Sequence, residues 1–368
     1  MSERFLFLLR RRATRHGVDL VIGLCAVLAA ATASPAAETE AGPASTPIAT
    51  PTPRPALTLP AHQEALARAN AAVVGVEVIA VKGARSTDTL GRTRAGSGVV
   101  IDHDGLVLTI GYLVVEADHV DLVLEADRRV PARVVAYDLA SGFGLLQALA
   151  PLRLAPAPLG RSSRIGDGEP LLVASGGEDG ELSVARMVSR RAFSGYWEYH
   201  IDDALFTAPA RTDHSGAGLF NADGELLGIG SLVVADAAGS DAAPLRGNMF
   251  VPIDLLTPIL SELRVRGASG DSTRAWLGLN CVEFGGHLRV LRLAPSGPAE
   301  EAGLAPGDLV TAIDGIEVSD LATFYKTLWR QAPAARAVTL DVQRGNERLH
   351  LDVHAVDRMT TLRRPEGI

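Results

Sequence analysis

Residues 96–110 read GSGVVIDHDGLVLTI, two β-rich apolar runs, Gly98–Ile101 and Leu106–Ile110, folded back on each other at His103-Asp104-Gly105. Asp-Gly between two such runs is a strong hairpin signal, because the turn needs residues that accept positive φ. The same grammar continues on both sides. Runs at 71–81, 120–124, 130–136, 169–174, 182–189, 219–220 and 226–234 are split by Gly, Asp and Asn, and Asn221-Ala222-Asp223-Gly224 makes another tight turn. Many short strands at regular spacing predict a mainly β unit, an antiparallel sandwich or a pair of barrels. Pro252–Val265 then takes a helical period, with Ile253, Leu256, Ile259, Leu260 and Leu263 on one face.

Arg266–Arg274 is polar and contains Gly, the composition of a linker, and leads into a second unit of about 275–356. That unit opens with Trp276-Leu277-Gly278-Leu279, a strand interrupted by one glycine. Pro298 starts a short helix that Gly303 stops, Asp308–Asp314 is a strand turned at Gly315, and Leu321–Trp329 is amphipathic. Val338–Val342 and Arg348–Val353 alternate about Gly345-Asn346, and the tail 357–368 looks frayed. No long-period repeat is visible.

The N-terminus has a different character. Arg4, Arg10, Arg11, Arg12 and Arg15 precede the apolar run Val18–Ala31 and the small residues Ala31-Thr32-Ala33. Basic, apolar and small in that order is a secretory signal peptide over 1–33, and the run is short for a membrane span. Asp19 and the long basic region leave an uncleaved inner-membrane anchor as the alternative. Residues 34–64 are a Pro/Thr-rich linker that extends rather than packs.

A length of 368 residues gives room for about two domains, and 47% hydrophobic content excludes a wholly disordered chain. A net charge of -8, with no basic run beyond the first 15 residues, excludes a phosphate-neutralising face and so nucleic-acid binding. Cys25 and Cys281 offer neither zinc spacing nor a redox pair, and removal of the leader would leave Cys281 alone.

Taken in order, these segments resemble the secreted HtrA/Deg family. The resemblance spans roughly 65–356. It rests on Gly96-Ser97-Gly98-Val99-Val100-Ile101, Gly105-Leu106-Val107-Leu108-Thr109, Asp213-His214-Ser215-Gly216 and Phe250-Val251-Pro252-Ile253. In the second unit it rests on Trp276-Leu277-Gly278-Leu279, Ala302-Gly303-Leu304-Ala305-Pro306-Gly307-Asp308 and Asp314-Gly315. It implies a chymotrypsin-like double β-barrel over 65–266, followed by a PDZ domain, an α+β sandwich, over 272–356.

The resemblance also implies a catalytic serine, histidine and aspartate, and here the residues depart from it. Ser215 holds the nucleophile position. Tyr112, in Thr109-Ile110-Gly111-Tyr112, stands at the histidine position, and Gly142, in Asp138-Leu139-Ala140-Ser141-Gly142, at the aspartate position. A serine hydroxyl is a weak nucleophile without a base, and a tyrosine of pKa about 10 is neutral near pH 7. Tyr112 is left with a static hydrogen bond to Ser215 or with filling space. Asp213 stands two residues before the serine, where its charge would oppose an oxyanion. His214 adjoins Ser215 and, as a chain neighbour, points elsewhere. His103 and His119 read as solvated turn residues, and no spacing joins them to His214 as metal ligands, so neither metal nor cofactor is expected.

The second unit keeps what a PDZ domain needs. Backbone N–H groups of Trp276-Leu277-Gly278-Leu279 would take the carboxylate of a chain end, with Leu321, Phe324 and Leu328 lining a side-chain pocket. The implied function is a periplasmic or secreted pseudoprotease that binds peptide termini or unfolded segments as an adaptor, chaperone or regulator. Its partners would be such C-termini, further copies in a trimer, or an active paralogue. The alternative is a serine endopeptidase using Ser215 with a non-standard base.

Overall fold

The computed structural model describes residues 59–125 and 128–364. The leader and most of the linker inferred from the sequence lie outside the described residues. No helix among the described residues is long and apolar enough to cross a membrane.

Six strands, β1 (Val73–Ala80), β2 (Thr93–Val100), β3 (Leu106–Ile110), β4 (Ala117–Val123), β5 (Arg129–Tyr137) and β6 (Phe143–Ala148), close into one barrel in the order β1-β2-β3-β6-β5-β4. Six more form a second: β7 (Pro170–Ala174), β8 (Leu182–Gly195), β9 (Tyr199–Ala208), β10 (Gly218–Phe220), β11 (Leu226–Val234) and β12 (Gly247–Pro252). Its ring runs β10-β11-β12-β9-β8-β7, which is the first ring's connectivity repeated. Closure removes the exposed edges that short Val/Leu strands would otherwise present. One apolar core joins the barrels, with Leu108, Leu122 and Leu145 of the first beside Phe220, Ile229 and Val251 of the second, all fully buried.

Helix α1 (Leu59–Ala71) starts inside the stretch read as linker, with Pro60 in its first turn, and Ala65 and Ala69 are buried. The helix expected over 252–265 is broken: Ile253–Leu255 is a 3₁₀ turn, and regular helix occupies only Leu260–Arg266. Pro258 explains the break, since its ring and missing N–H disfavour a helix interior.

The second unit is one seven-stranded sheet. Strands β13 (Ala275–Trp276), β14 (Leu279–Phe284), β15 (His287–Leu293), β16 (Leu309–Ile313), β17 (Ile316–Glu317), β18 (Arg336–Arg344) and β19 (Glu347–Asp357) run in the order β13-β19-β18-β16-β15-β14, with β17 on β16. β14 is therefore an edge strand. The long helix here, Leu321–Trp329, is capped by Asp320, whose carboxylate accepts the Thr323 N–H at 2.8 Å. The tail is not frayed as far as residue 364. Asp357 caps a 3₁₀ turn, and the Arg363 N–H donates to Glu116 of the first barrel at 2.9 Å.

Candidate active site

The third strand of each ring runs into the segment that carries half of the site. β3 passes into α2 (Gly111–Val114), which holds Tyr112, and β9 passes into the loop that holds Ser215. A four-residue helix leaves its C-terminal carbonyls unpaired. The buried guanidinium of Arg94 takes them up, donating from Nη1 to Val115 O at 2.7 Å and Tyr112 O at 3.1 Å. Tyr112 is thereby fixed from below.

The Tyr112 hydroxyl lies 2.8 Å from Ser215 Oγ and 2.8 Å from the Ser231 carbonyl. A phenol has one proton and a carbonyl can only accept. The arrangement that satisfies both contacts has Tyr112 donating to Ser231 and Ser215 donating to Tyr112. Burial pushes the phenol up to about 12, against the opposing pull of the Ser215 hydrogen bond. A neutral phenol is a hydrogen-bond acceptor here, not a base.

Gly142 adjoins the same helix, its carbonyl accepting the Gly111 N–H at 2.7 Å. Its φ is +82°, and a Cβ added there would meet the Tyr199 hydroxyl at 2.8 Å. That hydroxyl donates to Ser141 O at 2.8 Å, so the Tyr199 ring, delivered by the second barrel, occupies the space a larger residue at 142 would need. A cavity of about 60 Å³ remains, lined by Tyr112, Tyr137, Glu198, Tyr199 and Arg358.

Asp138 is buried and serves structure. Its carboxylate accepts from Ser141 Oγ at 2.5 Å, Ser269 Oγ at 2.6 Å and Ser272 Oγ at 2.5 Å. Burial works to raise its pKa, but these bonds outweigh it and hold the carboxyl below its ordinary value. The stretch read as a linker, Arg266–Arg274, is thus fastened to the first barrel.

Around Ser215 the neighbours are engaged. Asp213 is bonded by Arg211 and by Ser175, so the charge expected to oppose an oxyanion is paired with a guanidinium. Burial disfavours the charged form of Asp213, and the Arg211 and Ser175 bonds reverse that, lowering its pKa. The His214 Nδ1 faces the Arg211 carbonyl at 3.2 Å, and burial lowers its pKa. His119 pairs with Asp121 at 3.1 Å on the surface, and His103 sits in the β2–β3 turn. No group of His, Cys, Asp or Glu among the described residues is arranged to hold a metal.

The loop between β13 and β14 does hold a carboxylate. Glu198, at the tip of the β8–β9 hairpin, accepts the Leu279 N–H at 2.8 Å and the Leu277 N–H at 3.2 Å, and the Gly278 N–H also faces it. Gly278 has φ +76°, which lets the loop curl its N–H groups toward one point. Glu198 itself has φ +59°, a conformation that disfavours a side chain by about 1–2 kcal/mol. Leu277 and Leu279 point into the core, as do Leu321, Phe324 and Leu328, while Trp276 is half-buried. The residue of the long helix that faces the hairpin tip is Tyr325. Neither Glu198 nor Tyr325 stood out in the sequence. The one available signal was the aromatic run Tyr196-Trp197-Glu198-Tyr199 directly after Gly195.

Comparison with known proteins agrees with this architecture. Residues 96–229 match the trypsin-like peptidase domain family and residues 275–355 the PDZ domain family. A Hahella chejuensis protein named as a periplasmic DegP-like serine endoprotease is 29% identical over 267 residues, covering 68% of this chain and 55% of that protein. A Synechocystis protein named as the serine protease HhoA is 29% identical over 286 residues, covering 70% of this chain and 69% of its own. The chain thus spans little more than half the length of the Hahella protein. A solved structure of the HtrA-type protease AlgW in a serine-to-alanine form with a tripeptide superposes with a TM-score of 0.51 at 21% identity, covering 83% of this chain and 98% of that one. The fold is shared. This chain is accordingly a trypsin-like peptidase domain followed by a PDZ domain, homologous to the DegP/HtrA proteins.

Proposed function

We propose that the protein is a catalytically silent HtrA-like protein of the periplasm that binds chain termini or unfolded segments through its PDZ domain. It would act as an adaptor, chaperone or regulator in envelope protein quality control, with further copies or an active paralogue as partners. Tyr112 and Gly142 are assigned the places of base and orienting carboxylate, and Ser215 that of the nucleophile. The observation that carries the reading is the commitment of the Ser215 proton to a neutral phenol that is itself bonded to the Ser231 carbonyl. Among the described residues no base is bonded to Ser215 to accept that proton during attack, so the serine stays a poor nucleophile.

Retention of a half-buried Ser215, together with the names of the relatives, favours a second reading as a serine endopeptidase with a non-standard base. Incubating the full chain and Ser215→Ala with unfolded casein over roughly pH 6–9 separates the two. Silence predicts no cleavage by either protein. Cleavage by the parent that disappears in Ser215→Ala establishes the peptidase.

A further inference from the structure

The hairpin tip Gly195-Tyr196-Trp197-Glu198 lies between edge strand β14 and the helix Leu321–Trp329. The Cys281 N–H donates to Tyr196 O at 3.2 Å, and the Leu279 N–H donates to the Glu198 carboxylate at 2.8 Å. One backbone bond and one side-chain bond thus set 196 opposite 281 and 198 opposite 279, with the tip running against β14 in the direction an added strand would take. From the helix, the Tyr325 hydroxyl donates to Gly195 O at 2.7 Å and accepts the Glu198 N–H at 3.2 Å. Arg358 donates to Trp197 O at 3.0 Å, and Lys326 pairs with Asp202 of β9 at 2.6 Å. These contacts supply an edge partner for the strand and a carboxylate for the loop.

We propose that this tip is a built-in ligand of the PDZ groove, with the Glu198 side chain in the place of a terminal carboxylate, and that an outside chain end binds only by displacing it. The inference rests on the reading of the PDZ domain as a terminus-binding module. Glu198 holds a positive φ and is buried. A turn there would be served better by glycine, and what glycine lacks is the carboxylate. The tip and a peptide need the same Leu279 and Cys281 N–H groups, so occupancy is exclusive. The apparent affinity for a peptide is the affinity of the empty groove reduced by the fraction of molecules whose tip is out.

Glu198→Gly removes the carboxylate while suiting the backbone, and Tyr325→Phe removes one hydroxyl with no change in core shape. Amide hydrogen exchange in the full chain reads the plug without any ligand. The expected result is exchange at Leu279 and Cys281 faster by about tenfold or more in Glu198→Gly, with β18–β19 amides unchanged. Equal exchange in parent and variant overturns the proposal. Binding is read with fluorescein-labelled AFSGYW, the chain's own 192–197 with a free carboxylate, beside its C-terminal amide. The acid should bind both variants roughly tenfold or more tighter than the parent, and the amide should bind none. Equal affinity for parent and variants overturns exclusivity. Faster exchange without binding of the acid leaves the plug standing and sinks the terminus-binding reading.

Discussion

Ser215 and Tyr112 share a hydrogen bond whose direction is set by a third group, the Ser231 carbonyl, which accepts the phenol proton at 2.8 Å. Tyr112→Phe removes both bonds and leaves the Ser231 carbonyl in a buried place without its donor. The expected loss is about 1–3 kcal/mol in urea unfolding with an unchanged m-value, and no cleavage of casein appears. Unaltered stability would show that the phenol proton does not rest on Ser231.

On the reading of the protein as silent, placing histidine at 112 and aspartate at 142 is not expected to create a peptidase. In Tyr112→His with Gly142→Asp, the new Cβ at 142 meets the Tyr199 hydroxyl at 2.8 Å on a backbone at φ +82°. Strain and overpacking together should destabilise by roughly 2 kcal/mol or more, read from the unfolding midpoint. Casein remains uncut by the double variant. Turnover above the Ser215→Ala background would show that Tyr199 yields.

Asp138 holds three serine hydroxyls from two segments, so Asp138→Ala leaves several buried donors unpaired. A loss of about 3 kcal/mol is expected. The native carboxyl is held below its ordinary 3.8, so its contribution is present above that pH and is lost as pH falls through the lower native value. The parent should therefore show an acid-sensitive component of stability, in melts from pH 6 downward, that Asp138→Ala lacks. Parallel pH profiles in the two proteins would contradict this.

Glu198 behaves in the opposite sense. Burial is the largest influence and raises it to about 7, partly offset by Arg358 and the loop N–H groups, with Tyr325 and Cys281 also facing it. A carboxyl raised above its unfolded 4.5 contributes stability that is complete below that pH and fades as pH rises through about 7. The docked tip should weaken over this window, and AFSGYW acid should bind the parent more tightly at pH 8 than at pH 5. In Glu198→Gly the affinity should be flat. An equally steep profile in that variant would assign the effect to another group.

What the sequence made legible was whatever local chemistry dictates. Asp104-Gly105 and Gly345-Asn346 announce their hairpins, and Gly278 marks the loop whose N–H groups converge. The strand Tyr199–Ala208 was not legible, because Asp202-Asp203 breaks the apolar alternation on which a strand is recognised. That strand delivers Tyr199 to Gly142 and begins beside Glu198. Both contacts join positions remote in sequence, and a glutamate in a turn ordinarily faces water. Periodicity within a segment carries no information about such meetings.

The repeated ring order gives the β8–β9 hairpin a counterpart in the first barrel, the hairpin β2–β3. The counterpart has strands of 8 and 5 residues, whereas β8 and β9 have 14 and 10. The surplus of about five residues per strand amounts to roughly 17 Å of ribbon beyond what a ring needs. That ribbon is a ruler. Its length, set in the second barrel, fixes where Glu198 arrives, and because side chains alternate faces, removing one residue from each strand would turn the tip over, while removing two would bring it up short. Insertions and deletions that spare the barrel can thus decide whether the PDZ groove is filled from within.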